Sequence, residues 1–141
     1  MTEQGARVTW EAAGEGERRW FVGTLATITV PGEASDGRFA LIEFLVPQWA
    51  SPPLHTHPQD ESYVVLEGLL TVKAGSERFE LGPGGAAVVP MGVPHTFMAP
   101  GIVSRFFSNM PWKMPMTTLP FRRISQPWAA SPWNGTNPRC S

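Results

Sequence analysis

The chain has 141 residues, the size of one ordinary domain, and 42% of them are hydrophobic, which is enough for a packed core. Its 11 Lys and Arg against 12 Asp and Glu give a net charge of -1, which argues against a nucleic-acid or anionic-membrane partner. The first twenty residues lack the apolar stretch of a signal peptide, no apolar run is long enough to span a membrane, and Cys140 has no second cysteine to pair with. We therefore expect a cytoplasmic protein.

In chain order, β-branched and aromatic residues are concentrated in short stretches separated by turns rich in Gly and Pro. Residues 10–20 precede them and hold helix formers, but two interior glycines limit that segment to a short turn. This spacing is typical of an all-β sandwich or barrel with antiparallel strands. The predicted strands lie within residues 19–30, 38–46, 61–68, 69–73, 77–81, 86–90, 95–99 and 102–108.

The composition changes near residue 110. The C-terminal extension, residues 110–141, holds six of the 15 prolines and three of the six tryptophans. Because disordered segments are usually poor in aromatic residues, we expect this extension to pack on the barrel or on a partner subunit. One domain over residues 1–109 accounts for the rest of the chain.

Two of the three histidines, His55 and His57, lie one residue apart. Side chains alternate along an extended chain, so both rings are expected on one face. Two imidazoles directed at one point suit a divalent metal. Glu61 shares their parity and Asp60 does not, so Glu61 is the preferred carboxylate ligand and Asp60 is the rival.

The third histidine, His95, follows a glycine turn, a short apolar strand and a tight turn with the sequence PMGVP. This is a rigid way to begin a new strand with a histidine. All the histidines of the chain are then explained by one metal site, whereas a lone HxH pair is more often solvated or hydrogen-bonded.

These residues resemble the two motifs of the cupin superfamily over about residues 20–108. In the first motif HxH is followed by Glu and then Gly, and the second motif runs from a Gly to the third His. The sequence departs from the pattern at Trp49, where the first motif usually opens with Gly, and at Ala99, where the second usually closes with Asn. The matching positions are His55, His57, Glu61 and Gly68, then Gly84, Pro90, Gly92 and His95.

The resemblance is to small single-domain cupins of the quercetin-dioxygenase-like group. It implies a jelly-roll β-barrel, commonly a homodimer, with one divalent metal (Fe, Mn, Ni or Zn) held by His55, His57, Glu61 and His95. Glu61 is also a candidate catalytic base, and Gln59 is a candidate polar catalytic residue. Parity and position suggest a substrate pocket lined by Trp49, Tyr63, Phe97 and Phe107.

Few charged residues lie near the motifs, which favours a small, largely apolar or aromatic partner molecule over a phosphorylated one. The first hypothesis is a metal-dependent dioxygenase acting on an aromatic, phenolic or enolic substrate. The second is a non-redox cyclase or isomerase of polyketide type, in which the metal acts as a Lewis acid. The third is a metal-containing protein that only binds a small molecule.

Overall fold

The computed structural model describes residues 7–21, 23–101, 103–110 and 122–123, and it is built almost wholly of strands. Within these ranges, one turn of 3₁₀ helix, Gly32–Ser35, interrupts the strands. The strands are β1 (Glu17–Phe21), β2 (Thr24–Val30), β3 (Ala40–Pro47), β4 (His55–Thr56), β5 (Glu61–Glu67), β6 (Leu70–Ala74), β7 (Glu77–Leu81), β8 (Ala86–Val89), β9 (His95–Met98), β10 (Val103–Met110) and β11 (Arg122–Arg123).

The strands form two antiparallel sheets. The first sheet has six strands in the order β1-β2-β3-β10-β5-β8, and the second has five in the order β11-β4-β9-β6-β7. Strands that are distant in sequence lie side by side, as β10 does between β3 and β5. This is a jelly-roll arrangement, and the prediction of an all-β jelly roll is confirmed.

One stretch that reads as continuous in the sequence, residues 19–30, is divided into two paired strands. β1 and β2 form a hairpin, with Phe21 opposite Thr24. Gly23 adopts φ 78°, a left-handed conformation that favours glycine and permits the tight reversal. Residues 10–16 contain a turn and no helix, as the two glycines at 14 and 16 predict.

The core lies between the facing sheets. Along β3, buried and part-exposed residues alternate, as expected of a strand with one face on the core. Phe44 of the first sheet packs on Phe97 of the second with ring centroids 6.1 Å apart, and Phe97 packs on Tyr63 at the same 6.1 Å. These three rings belong to the buried hydrophobic core.

No helix among the described residues is long and apolar enough to cross a membrane. Of the C-terminal extension, the described residues are Met110, the last of β10, and the two of β11, which pair with β4. Trp112, Trp128, Trp133 and Cys140 lie outside the described residues. The division at residue 110 stays a prediction.

Candidate metal centre

The four expected ligand residues meet at the end of the barrel where three strands begin. His55, Glu61 and His95 are the first residues of β4, β5 and β9. His57 follows β4 directly, and His55 lies opposite His95 across the β4–β9 pair. All four side chains are buried, and one ligand atom from each lies within 4.8 Å of the others. The cluster could therefore hold a metal ion.

Each imidazole is fixed by a hydrogen bond to a backbone carbonyl two residues away. Nδ1 of His55 lies 2.7 Å from the Pro53 oxygen, and Nδ1 of His95 lies 2.8 Å from the Val93 oxygen. Nδ1 of His57 lies 2.9 Å from the carbonyl oxygen of Gln59. A carbonyl can only accept, so each Nδ1 carries the proton and donates it. In the neutral ring Nε2 then presents a lone pair, the form that binds a metal.

Glu61 supplies the carboxylate. Its Oε2 lies 3.1 Å from Nε2 of His57 and 3.0 Å from Nε2 of His95. Both atoms of each contact are acceptors when the rings are neutral. Such short contacts are stable only when a proton or a cation lies between them, so the donor set fits a divalent cation.

The pKa values follow from burial and from this carboxylate. Burial, followed by the neighbouring charge of His95, lowers the pKa of His55 to about 4, so this ring is neutral near pH 7. Burial also acts to lower the pKa of His57, but the hydrogen bond and charge of Glu61 outweigh it and raise that pKa. Burial alone would raise the pKa of Glu61, yet the bonds from His57, His95 and Ser108 hold it well below its usual range. Glu61 is therefore an anion, as a metal ligand must be.

Two hydroxyl groups complete the surroundings of Glu61. The Ser108 hydroxyl donates to Oε1 at 2.6 Å, and the Tyr63 hydroxyl donates to Oε2 at 3.0 Å. Sequence reasoning missed Ser108, because it is one of several polar residues in β10 and nothing in the sequence sets it apart from them. Its partner is set by the pairing of β10 with β5, which places Ser108 opposite Tyr63.

The residues expected to line a substrate pocket differ in where they lie. Tyr63 and Phe97 share the inner face, two residues deeper than Glu61 and His95, and both belong to the packed core. Phe107 lies opposite Glu43 and Val64 on the outer face of the first sheet. The expectation that Phe107 faces the pocket is therefore corrected: the inward position on β10 belongs to the adjacent Ser108.

Trp49 is also remote from the cluster. Its amide donates to the carbonyl of Ala99, which lies four residues beyond His95, about 13 Å along an extended chain. Trp49 has φ 66°, which explains why Gly suits this position, and its side chain is 47% exposed. The structure does not bring Trp49 to the ligand atoms.

The two remaining polar candidates, Gln59 and Asp60, form hydrogen bonds that stabilise the loop between β4 and β5. Gln59 contributes its carbonyl oxygen to His57, while its side chain is half-buried. The exposed Asp60 accepts the Met91 amide at 2.9 Å through Oδ1, which ties this loop to the turn before β9. Asp60 is thus outside the ligand cluster.

Comparisons with known proteins agree with the fold and the cluster. The family model described as "Cupin domain" matches residues 41–104, which include all four clustered side chains. Quercetin 2,3-dioxygenase of Bacillus subtilis is 33% identical over 86 residues, which are 60% of this chain and 26% of that enzyme. The chain thus matches about a quarter of the length of this curated relative.

Solved structures extend the likeness to most of the described barrel. The polyketide cyclase RemF from Streptomyces resistomycificus is 29% identical, with a TM-score of 0.63, over 86% of this chain and 83% of that one. KdgF from Halomonas sp. is 18% identical, with a TM-score of 0.69, over 79% of this chain and 100% of that one, which shows the fold alone. The jelly roll, the family match over residues 41–104 and the motif residues together support a protein of the cupin superfamily.

Proposed function

We propose that this protein is a metal-dependent dioxygenase acting on a small, largely apolar aromatic, phenolic or enolic molecule. The observation that supports this most is the buried cluster of His55, His57, Glu61 and His95. Three imidazole nitrogens and one carboxylate oxygen suit iron, manganese, nickel or zinc. When bound, such a metal supplies Lewis acidity and, if redox-active, a path for electrons between substrate and dioxygen.

The protein's own groups prepare the site for that chemistry. Backbone carbonyls hold each ring in one tautomer and one orientation, so little reorganisation is needed when the ligands bind. Four protein ligands leave up to two positions of an octahedron for small molecules. The buried rings of Tyr63 and Phe97 close the side toward the core, so we expect substrate to approach from the end where β4, β5 and β9 begin.

The Bacillus subtilis relative supports the dioxygenase proposal through its name and its 33% identity over 86 residues. A second candidate is a non-redox cyclase or isomerase, in which the metal polarises a substrate carbonyl. The polyketide cyclase RemF supports this alternative, because its 29% identity extends over 86% of this chain.

One experiment tests the proposal and separates the candidates. Untagged full-length protein is expressed with several metals supplied, purified without chelators and assayed for metal content. It is then incubated with a panel of phenols and enols, including quercetin, and with poly-β-carbonyl compounds, both in air and without oxygen.

Bound redox-active metal with substrate-dependent oxygen uptake would support the dioxygenase. Product formed equally well without oxygen would overturn it in favour of the cyclase or isomerase. If the protein contains metal and binds a panel compound tightly without turnover, it is a metal-containing binding protein. Protein that takes up no metal would contradict the proposed site itself.

A further inference from the structure

Both oxygens of the Glu61 carboxylate accept hydrogen bonds from residues outside the ligand cluster. Ser108 donates to Oε1 at 2.6 Å, and Tyr63 donates to Oε2 at 3.0 Å. Glu61 itself is only 4% exposed, so these hydrogen bonds are shielded from water. Hydrogen bonds from hydroxyl groups to a buried carboxylate are short and about twice as strong as neutral ones.

The two oxygens are not equivalent. Oε2 lies 3.1 Å from Nε2 of His57 and 3.0 Å from Nε2 of His95, so it is the oxygen that faces the other ligand atoms. Oε1 is held toward β10 by Ser108. A two-oxygen ligand would need both atoms turned equally toward the metal, which the bond from Ser108 opposes.

Strand pairing builds this arrangement into the first sheet. Ser108 on β10 lies opposite Tyr63 on β5, and Glu61 lies two residues before Tyr63 on the same inner face. Ser108 and Tyr63 are both 0% exposed. A buried hydroxyl group is costly unless it has a partner, and the partner here is the candidate metal ligand.

We infer that Ser108 and Tyr63 are positioning residues that hold Glu61 as a ligand through Oε2 alone. This inference rests on the proposed function, because it concerns the same metal site. Swinging the carboxylate away to accept a substrate proton would break two buried, charge-assisted hydrogen bonds. Glu61 is therefore a fixed ligand in this inference, and its role as a catalytic base, expected from the sequence, stays a prediction.

The test removes one hydroxyl group at a time with little change of volume, in Ser108→Ala and Tyr63→Phe. Thr24→Val is the matched control, because Thr24 is equally buried and its hydroxyl donates to the Phe21 carbonyl at 2.5 Å, far from the cluster in sequence and sheet position. The probe is Co²⁺ alone. Affinity is measured by competition with a chelator, and coordination by the visible absorption of bound Co²⁺ and by infrared carboxylate bands.

Wild-type protein is expected to show the wide carboxylate band separation of single-oxygen binding. Ser108→Ala should narrow that separation, change the Co²⁺ absorption and weaken binding by about tenfold to a hundredfold, as loss of a ligand's outer partner typically does. Tyr63→Phe should weaken binding over the same range. Thr24→Val should lower the melting temperature and leave Co²⁺ affinity and both spectra unchanged.

Wild-type affinity and unchanged spectra in both hydroxyl-deleted variants would overturn the inference while leaving the metal site intact. A two-oxygen signature in wild-type protein would overturn it as well. Failure of wild-type protein to bind Co²⁺ would instead count against the proposed function. If Ser108→Ala does not fold, Tyr63→Phe and the wild-type infrared bands decide the question.

Discussion

At the scale of single residues, the three imidazoles are prepared for one task by their own backbone neighbours. Each Nδ1 donates to a carbonyl oxygen two residues away in the chain, at 2.7 to 2.9 Å. The tautomer is thus set locally, and the fold only has to bring the three Nε2 atoms together. These local hydrogen bonds tolerate small movements of the strands, because each ring moves together with the backbone carbonyl to which it donates.

The lowered pKa of His55 predicts that metal-free protein loses stability in mild acid. Burial lowers this pKa from 6.5 to about 4 in the folded chain, so the unfolded chain takes up the proton first. The stability that neutral His55 contributes is complete above about pH 6.5. The free energy of unfolding then falls as the pH drops toward 4, by about 3 kcal/mol in all. The raised pKa of His57 has the opposite effect, because its contribution to the free energy of unfolding is lost as the pH rises above 6.5.

Urea unfolding of chelator-treated protein at several pH values measures this effect. Replacement His55→Gln removes the titrating group and should flatten the decline between pH 6.5 and 4. An equally steep decline in the variant would assign the acid sensitivity to other groups.

At the scale of elements, the turn between β8 and β9 is tied to the loop between β4 and β5. The Gly92 amide donates to the carbonyl of His57 at 3.0 Å, and the Met91 amide donates to Asp60 at 2.9 Å. These bonds join the loop that carries His57 to the turn that precedes His95. The two cupin motifs are therefore connected through their loops as well as through the ligand cluster.

Gly92→Ala is expected to strain this connection. Gly92 has φ 77°, and a side chain in that conformation costs about 1–2 kcal/mol, although no atom crowds the added carbon. We expect a lower free energy of unfolding and weaker metal binding. Gly101→Ala is the control, since Gly101 has no positive φ and a carbon added there meets no atom within 4 Å. Equal effects of the two substitutions on metal affinity would contradict this role of the turn.

The pairing of β11 with β4 predicts that the C-terminal extension supports the metal site. The backbone of β11 pairs with β4, with Arg123 opposite His55 and Arg122 opposite Thr56. The double variant Arg122→Pro/Arg123→Pro cannot donate backbone hydrogen bonds, so it should release β4, speed amide exchange there and weaken metal binding. Arg122→Ala/Arg123→Ala removes only the side chains and should preserve both properties. If the proline variant exchanges and binds as wild-type protein does, the extension is dispensable for the site.

At the scale of the whole molecule, the ligand cluster joins the two sheets. Glu61 and its partner Ser108 belong to the first sheet, while His55 and His95 belong to the second. A bound metal therefore crosslinks the barrel at the end where these strands begin. The homodimer and the cytoplasmic location expected from the sequence stay predictions, the former open to sedimentation analysis.

This crosslink predicts metal-dependent thermal stability. Because a metal held by these four side chains would bind the folded chain preferentially, it should stabilise the protein by about 2.7 kcal/mol at a free concentration of 100 Kd, and the melting temperature should rise with metal concentration. Calorimetry across a metal titration measures this dependence. His57→Ala should lack it, and a metal-dependent melting temperature in that variant would place the metal elsewhere.

The sequence by itself determined the strand pattern, the donor set and the family resemblance. Short β-branched stretches, HxH parity and the Gly and Pro turns act over a few residues, so they can be recognised in the chain. Even Trp49 carried a local signal, since a departure from Gly marked the left-handed position that the structure shows.

Only the tertiary structure decided what surrounds the donors. Phe107 and Ser108 are adjacent, and the pairing of β10 with β3 and β5 turns Ser108 toward Glu61 and Phe107 away from it. The hydroxyl of Tyr63 reaches Glu61 and its ring packs on Phe97 of the other sheet. Such facts depend on register between distant strands, where a shift of one residue exchanges the two faces.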